Sequence, residues 1–242
     1  APAAPFTPLV PLPAPKIVAS AEVYPHPNFA VARLVDGKAE TEFSSNAKGT
    51  ETFVEFDFGV PVRIAAFRHV DRNDPATIAE SHLTPLDAAG KAMATFTVHH
   101  VNRRGGVSFF ALPKPVTAQR VRWQVTKLGS PHSTVGGSEI VFYTTTEVDA
   151  APRAIGIEAI AVPVVERRPT GLVQPLRVSL DYPYGTPVAA VLRVQGQEPK
   201  PIHLSFGTQT FSYTIAAIEA ERPLEVAVDY AGKTMAARGV PV

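Results

Sequence analysis

Two stretches of this chain have residue types and spacing suited to chemistry, and the first is rich in oxygen. In Leu34-Val35-Asp36-Gly37-Lys38-Ala39-Glu40-Thr41-Glu42-Phe43, the Asp36-Gly37 pair makes a sharp turn that directs a carboxylate and several carbonyls inward, and Thr41 adds a hydroxyl. Hard cations take about six to eight oxygens at ~2.3 to 2.6 Å, which such a turn can supply almost alone. The second stretch is His69-Val70-Asp71-Arg72-Asn73-Asp74, set where the apolar run Ile64-Ala65-Ala66-Phe67 ends in a loop. Sugars present neighbouring hydroxyls in pairs, and guanidinium, amide and imidazole groups bind such pairs with little loss of entropy. Each stretch also has a plainer use. Asp36 can cap its own turn, with Glu139 paired to an arginine, and Asp71, Arg72 and Asp74 can close their loop through ion pairs.

Other chemistry finds no footing. Glycoside hydrolysis needs two carboxylates across a cleft, and nucleophilic hydrolysis needs a nucleophile with its base; no motif supplies either. The seven histidines lack metalloenzyme spacing, and His99-His100, as strand neighbours, point to opposite faces. His100 shares the face of Phe96 and Val98, as a hydrogen-bonded core histidine would. Gly105-Gly106 makes a hairpin turn with no helix after it, so it does not cradle phosphate. There is no cysteine for a disulfide or thiolate site, and a net charge of +1 without Lys or Arg runs gives no general pull on nucleic acid.

The elements that must position these residues are strands. Val54, Phe56 and Phe58 alternate on one face, as do Phe96 with Val98, Val121 with Trp123 and Val125, and Ile140 with Phe142. Turns are expected at Gly49, Asp74-Pro75, Asp87-Ala88-Ala89-Gly90, Arg104-Gly105-Gly106 and Gly136-Gly137. Asn28 is expected to cap one short helix that Gly37 ends. Residues 1–16 hold six prolines and read as a stiff, polyproline-like leader or a strap along a neighbour. A region 17–146 is followed by a linker over 147–153. Shorter, cleaner alternation over 154–242 (Leu176 to Tyr182, Ile202 to Phe206, Phe211 to Ile215, Leu224 to Tyr230) suits an immunoglobulin-like or fibronectin-like sandwich. Asp181-Tyr182-Pro183-Tyr184-Gly185 reads as an aromatic turn that either packs on itself or faces a sugar or partner. The 242 residues, 45% apolar, suffice for two modest cores. No apolar stretch approaches the ~20 residues that cross a bilayer.

The Leu34 to Phe43 segment, then Val54-Glu55-Phe56-Asp57-Phe58-Gly59, then Arg120-Val121-Arg122-Trp123 and Ser138-Glu139-Ile140-Val141-Phe142-Tyr143, in that order, resembles the discoidin-like domain, the coagulation factor V/VIII type C domain, in its bacterial form as a family 32-like carbohydrate-binding module. The resemblance implies an all-β, galactose-binding-like jelly-roll sandwich, here followed by a smaller immunoglobulin-like sandwich. It implies a structural calcium held by Asp36, Thr41, backbone oxygens near Leu34 and Lys38, and Glu139. It also implies a sugar pocket on loops at one end, where Arg72 and Asn73 bind hydroxyls and His69 orients or donates, with His26, His132, Tyr24 and Asn28 nearby. Trp123 and Phe43 fall at positions that are core in such domains, which leaves no obvious exposed aromatic platform. The order of domains resembles the non-catalytic, amino-terminal region of secreted glycoside hydrolases. The start at Ala1 without methionine fits either signal-peptide removal or a trimmed chain; export, to a secreted or periplasmic location, is the favoured expectation. The resulting expectation is a carbohydrate-binding accessory region; the alternative is an interaction module that packs on a catalytic domain or partner and meets no sugar. Lipid-surface binding would need apolar loop tips flanked by basic residues, and the loops read as mostly small and polar.

Overall fold

The computed structural model describes residues 8–145, 155–161, 165–169, 171–216, 223–230 and 233–240. Contacts divide the chain into two compact units, Leu9–Thr146 and a second formed by Glu147–Val242 with Ala1–Pro8. Both are all-β. The expected linker over 147–153 lies outside the described residues.

The larger unit contains β1 (Leu9–Pro11), β2 (Lys16–Ser20), β3 (Phe43–Ser44), β4 (Phe53–Val70), β5 (Ile78–Leu86), β6 (Phe96–His99), β7 (Val107–Leu128), β8 (Gly136–Gly137) and β9 (Glu139–Thr145). A seven-stranded antiparallel sheet runs β1-β9-β4-β7-β5-β6, with β2 also on β4. Its two long strands make a sandwich from one sheet. Residues Phe53–Asp57 of β4 pair with Gln124–Arg120 of β7 and carry β2; residues Val62–Val70 pair with Ala118–Val107 and carry β9. Between these halves the register shifts beside Gly59, whose φ of +77° suits glycine best. A second shift faces Leu112 to Pro115, so Pro113 and Pro115, which have no N–H to give, sit where the ladder is already interrupted. Phe56 in the first half of β4 meets Phe142 of β9 edge-on at 5.3 Å, so the halves close on one core.

The alternating residues fill that core. Val54, Phe56, Val121, Trp123, Val125, Ile140 and Phe142 are all buried, while Phe58 and Phe96 pack half-buried at its margin. The fully buried Trp123 is a core residue, as is Phe43. Burying side chains of this size stabilises by about 1.5–3 kcal/mol each.

Local differences from expectation have identifiable causes. Leu9–Pro11, within the stretch read as a leader, is a strand paired with Thr145–Tyr143. The helix expected from Asn28 to Gly37 is two 3-10 segments, Pro27–Phe29 and Val31–Val35, and His26 rather than Asn28 caps the first: its Nδ1 accepts the Asn28 N–H at 3.3 Å. Gly136-Gly137 is no turn but β8, paired with Phe43–Ser44. A Cβ on Gly136 would stand 2.1 Å from the Phe43 carbonyl oxygen, so the glycines permit the backbones to meet.

The smaller unit comprises β10 (Gly156–Ala161), β11 (Glu166–Arg168), β12 (Gly171–Tyr182), β13 (Val188–Val194), β14 (Lys200–Leu204), β15 (Gly207–Ala216), β16 (Leu224–Tyr230) and β17 (Lys233–Val240). One four-stranded sheet is β10-β12-β11 with β15 on β12; the other is β14-β13-β16-β17. A single core joins Leu176, Val178 and Leu180 of the first to Leu192, Val226 and Val228 of the second. The aromatic turn packs on itself: Tyr182 and Tyr184 are buried, ring to ring at 5.3 Å, and the Tyr182 hydroxyl donates to the Thr186 carbonyl at 2.8 Å. It is not an open sugar-facing or partner-facing patch.

Gly136→Ala should lower stability by about 1–3 kcal/mol, because β3 and β8 must separate to admit the methyl group. Urea unfolding measures it, and an unchanged midpoint would show that this close approach is not tight.

Candidate functional site

The loops that leave one end of the large sandwich meet around two arginines and one aromatic ring. In the oxygen-rich loop, Thr41 Oγ1 lies 2.9 Å from both Asp36 carboxylate oxygens and 3.1 Å from the Lys38 carbonyl, while the Lys38 N–H donates to Asp36 Oδ1 at 3.0 Å. Arg33 approaches the same carboxylate at 3.5 Å. Burial pushes the Asp36 carboxyl up; the Thr41 hydroxyl, the Lys38 N–H and Arg33 outweigh it and hold the group below its ordinary value. Carboxylate, hydroxyl and carbonyl thus converge in a donor set suited to a hard cation. The expected fourth element behaves differently. Glu139 is ion-paired with Arg68, diagonally across the β4–β9 ladder, and the Leu34 side chain is buried in the core. Both carboxylates, Asp36 and Glu139, therefore already have an arginine beside them.

His69, Arg72 and Asn73 separate into three environments. His69 is fully buried, stacked on Trp123 at 5.2 Å and edge-on to His100 at 4.8 Å. Its Nε2 lies 2.9 Å from the Gly136 carbonyl, which can only accept, so the proton sits on Nε2 and Nδ1 is bare. Burial lowers its pKa to about 4, partly opposed by that hydrogen bond. Having no exposed surface, it cannot meet a sugar as expected; with Phe67 two residues before it, it belongs to the inward face of β4. His100 accepts or donates at Nε2 with Ser81 Oγ at 2.8 Å, and burial, with His69 and His99 adding to it, takes it to about 2.

Arg72 is also interior, its side chain 6% exposed. Its Nε donates to Glu42 at 3.2 Å, one amino group donates to the Thr134 carbonyl, Asp74 stands 3.8 Å away, and the guanidinium lies over the Phe29 ring at 5.3 Å. The expectation that it grips hydroxyls directly gives way to the ion-paired closure, though the partner is principally Glu42, thirty residues earlier. Asp71 is buried, accepting from the N–H groups of Arg72 at 2.9 Å and Ile78 at 3.0 Å; burial pushes its carboxyl up to about 6. Asn73 is exposed, with its N–H on Glu42 at 2.7 Å. His26 and His132 are exposed in their loops, His26 beside Phe29 at 5.9 Å.

Around Phe29 the structure adds what the residue types alone did not reveal. A cleft of about 280 Å³ is lined by Asn28, Phe29, Arg33, Glu40, Thr41 and Glu42. Tyr24 stands edge-on to Phe29 at 5.7 Å, 40% exposed. The sequence assigns Phe29 no part in the site, and the structure leaves its ring half-buried on the wall of the cleft. The signal that could have found it is His26-Pro27, which starts a one-turn segment too short to bury its aromatic. The cleft combines an aromatic ring, an amide, a guanidinium, a hydroxyl and carboxylates, a set suited to a small polar ligand with one apolar face.

The sequence matches no protein-family model and no curated protein with significance. Solved structures with a similar course of chain include the chitosan-binding module 1 from a chitosanase/glucanase of Paenibacillus sp. IK-5, at 17% identity over 54% of this chain and 96% of that one, with a TM-score of 0.45. The family 32 carbohydrate-binding module of C. perfringens NanJ, in complex with galactose, aligns at 11% identity over 56% and 99%, TM-score 0.46. A family 32 module from a family 31 glycoside hydrolase of Clostridium perfringens aligns at 13% over 53% and 93%, TM-score 0.45.

The buried imidazoles set a pH dependence. Unfolded histidine titrates near 6.5, whereas His69 does so at about 4 and His100 at about 2. Their stabilising contribution is present above pH 6.5 and is lost on acidification towards those folded values. Asp71 runs oppositely: raised from 3.8 to about 6, it stabilises below 3.8 and loses that contribution as pH rises through 6. Two imidazoles outweigh one carboxyl, so stability should fall by about 1 kcal/mol per pH unit between pH 6 and 4. Urea midpoints across that range check the sign, and a level or rising midpoint on acidification would contradict neutral, buried rings.

Proposed function

We propose that the large unit binds carbohydrate in the Phe29 cleft and that the chain is a non-catalytic, exported accessory region of a glycan-degrading enzyme. The observation that carries the reading is the cleft itself: the Phe29 ring offers an apolar face for a sugar ring, with Asn28, Arg33, Thr41 and Glu40 along its sides. Pyranoses have just such an apolar face and a fringe of hydroxyls that donate and accept. Exposed Asn73, His26 and His132 border the same loops and can lengthen the contact, while Arg72 acts as a positioning residue beneath Phe29. Holding an enzyme beside its polymer raises effective concentration without new chemistry. No helix among the described residues is long and apolar enough to cross a membrane.

The same reading includes a structural calcium. Asp36, Thr41 and the Lys38 carbonyl would hold it, with the Leu34 carbonyl adjoining, and the ion would neutralise the loop in place of Arg33. Glu139 would join only by leaving Arg68. The convergence of three oxygen types on Thr41 supports this. A second reading, an interaction module that packs on a catalytic domain, draws on one fact: Arg72 and His69, the polar groups first expected to grip sugar, are occupied inside the fold.

On a glycan array followed by calorimetry, Asn28→Ala and Phe29→Ala should each weaken the best glycan about tenfold, with melting temperatures close to wild type for Asn28→Ala. Unchanged affinity in both would remove the cleft, and no glycan bound at all would favour the interaction module. Calcium at ~100 times its dissociation constant should add about 2.7 kcal/mol of stability, reversed by a chelator. Asp36→Ala should show no calcium response; a melting temperature indifferent to calcium in the wild type would remove the ion.

A further inference from the structure

The turn between β6 and β7 belongs to the same rim, and its chemistry is not that of the cleft. It carries Val101-Asn102-Arg103-Arg104-Gly105-Gly106-Val107, with the side chains of Arg103 and Arg104 exposed. The turn is fastened at each foot. The Val101 N–H donates to Ser108 Oγ at 3.0 Å, and the Thr77 hydroxyl donates to Asn102 Oδ1 at 2.6 Å. The Gly105 N–H donates to the Arg72 carbonyl, and the Asp71 N–H to the Gly106 carbonyl, both at 2.9 Å. Gly105 has φ +58° and Asn102 φ +52°, so the bend uses residues that tolerate the left-handed region.

Two adjacent arginines are thereby presented on a braced turn, and among the described residues neither has an acidic partner. The acids of the Asp71-Arg72-Asn73-Asp74 segment, which is hydrogen-bonded to the turn, are occupied: Asp71 by the N–H groups of Arg72 and Ile78, Asp74 by the Ala76 N–H at 2.9 Å and by Arg72. In a chain of net charge +1, this pair is a local excess of positive charge. Guanidinium groups bind carboxylate and sulfate through paired N–H donors, and a pre-ordered backbone lowers the entropy lost on binding. Arg72 links the two features. Its carbonyl holds the turn while its guanidinium packs on one face of Phe29, so a single residue touches both cleft and turn.

We propose that Arg103 and Arg104 form an anion subsite for a glycan whose neutral ring lies in the Phe29 cleft, so that the preferred polymer carries carboxylate or sulfate groups. This rests on the carbohydrate reading of the cleft. The test uses the full chain in calorimetry at low and moderate salt with three oligosaccharides of equal length: a neutral one, an oligogalacturonate and a heparin-derived sulfated one. The last two separate carboxylate from sulfate. Wild type should bind one acidic oligosaccharide about tenfold tighter than the neutral one, with the advantage shrinking as salt rises. The variant with both Arg103→Ser and Arg104→Ser should lose that advantage, keep its affinity for the neutral sugar and melt with the wild type.

An acidic advantage that survives in the variant, or none in the wild type, overturns the proposal, as does equally tight binding to phosphatidylserine vesicles or duplex DNA. Acidic binding that depends on the arginines but not on Asn28 or Phe29 supports the anion subsite and instead overturns the cleft. Binding of none of the three overturns both.

Discussion

The rim of the large sandwich depends on one buried guanidinium. Arg72 sits at the end of β4, 6% exposed at its side chain, and from there reaches Glu42, the Thr134 carbonyl and the face of Phe29. These belong to three separate loops, and no other described side chain ties all three. A buried pair of this kind is costly to desolvate, and breaking it by removing one partner leaves the other charge stranded, at about 3–5 kcal/mol. What the pair contributes is position. The planar fork sets Glu42 on one side, the Thr134 backbone on another and an aromatic ring below, a geometry that a lysine ammonium would not reproduce.

A second buried polar group works from the opposite side. His69 holds the Gly136 carbonyl, and the absence of a side chain on Gly136 allows β8 to close on Phe43, as that on Gly137 leaves room for His69 itself. The oxygen-rich loop therefore enters and leaves the core at fixed points, Leu34 before it and Phe43 after it, both fully buried. Its carboxylate, hydroxyl and carbonyl can converge because the two ends of the loop are anchored. Sequence patterns place these groups near one another; the anchoring makes them a set.

Strands and core were legible in the residues, and the site was legible only in outline. Period-two alternation around Val54, Trp123 and Phe142 identifies inward faces because apolar burial is local to each strand. His69 lies two residues after Phe67 and shares its face, so the same rule, applied to a polar residue, places it inside. Its chemistry suits a sugar pocket, but its parity decides its place. Arg72 could not be settled that way, since its chief partner Glu42 lies thirty residues away and nothing local announces a long-range ion pair. Asn28 is a favoured capping residue, yet His26 takes the role because Pro27 starts the segment two positions earlier than an Asn28 cap would. Phe29 is only half-buried for a related reason: two single 3-10 segments stand in place of the expected helix, and the first is too short to bury its ring.

The bent pair of long strands has a consequence for how the large unit can come apart. Because β4 and β7 each run through both halves of the sandwich, no layer is held together by strands of its own. Peeling β9 away exposes the far half of β4 but leaves its near half clasped between β2 and β7. Detaching β5 likewise strips only one end of β7. Partial opening is thus confined to margins such as β1 and β6, and the middle of the sheet must yield all at once.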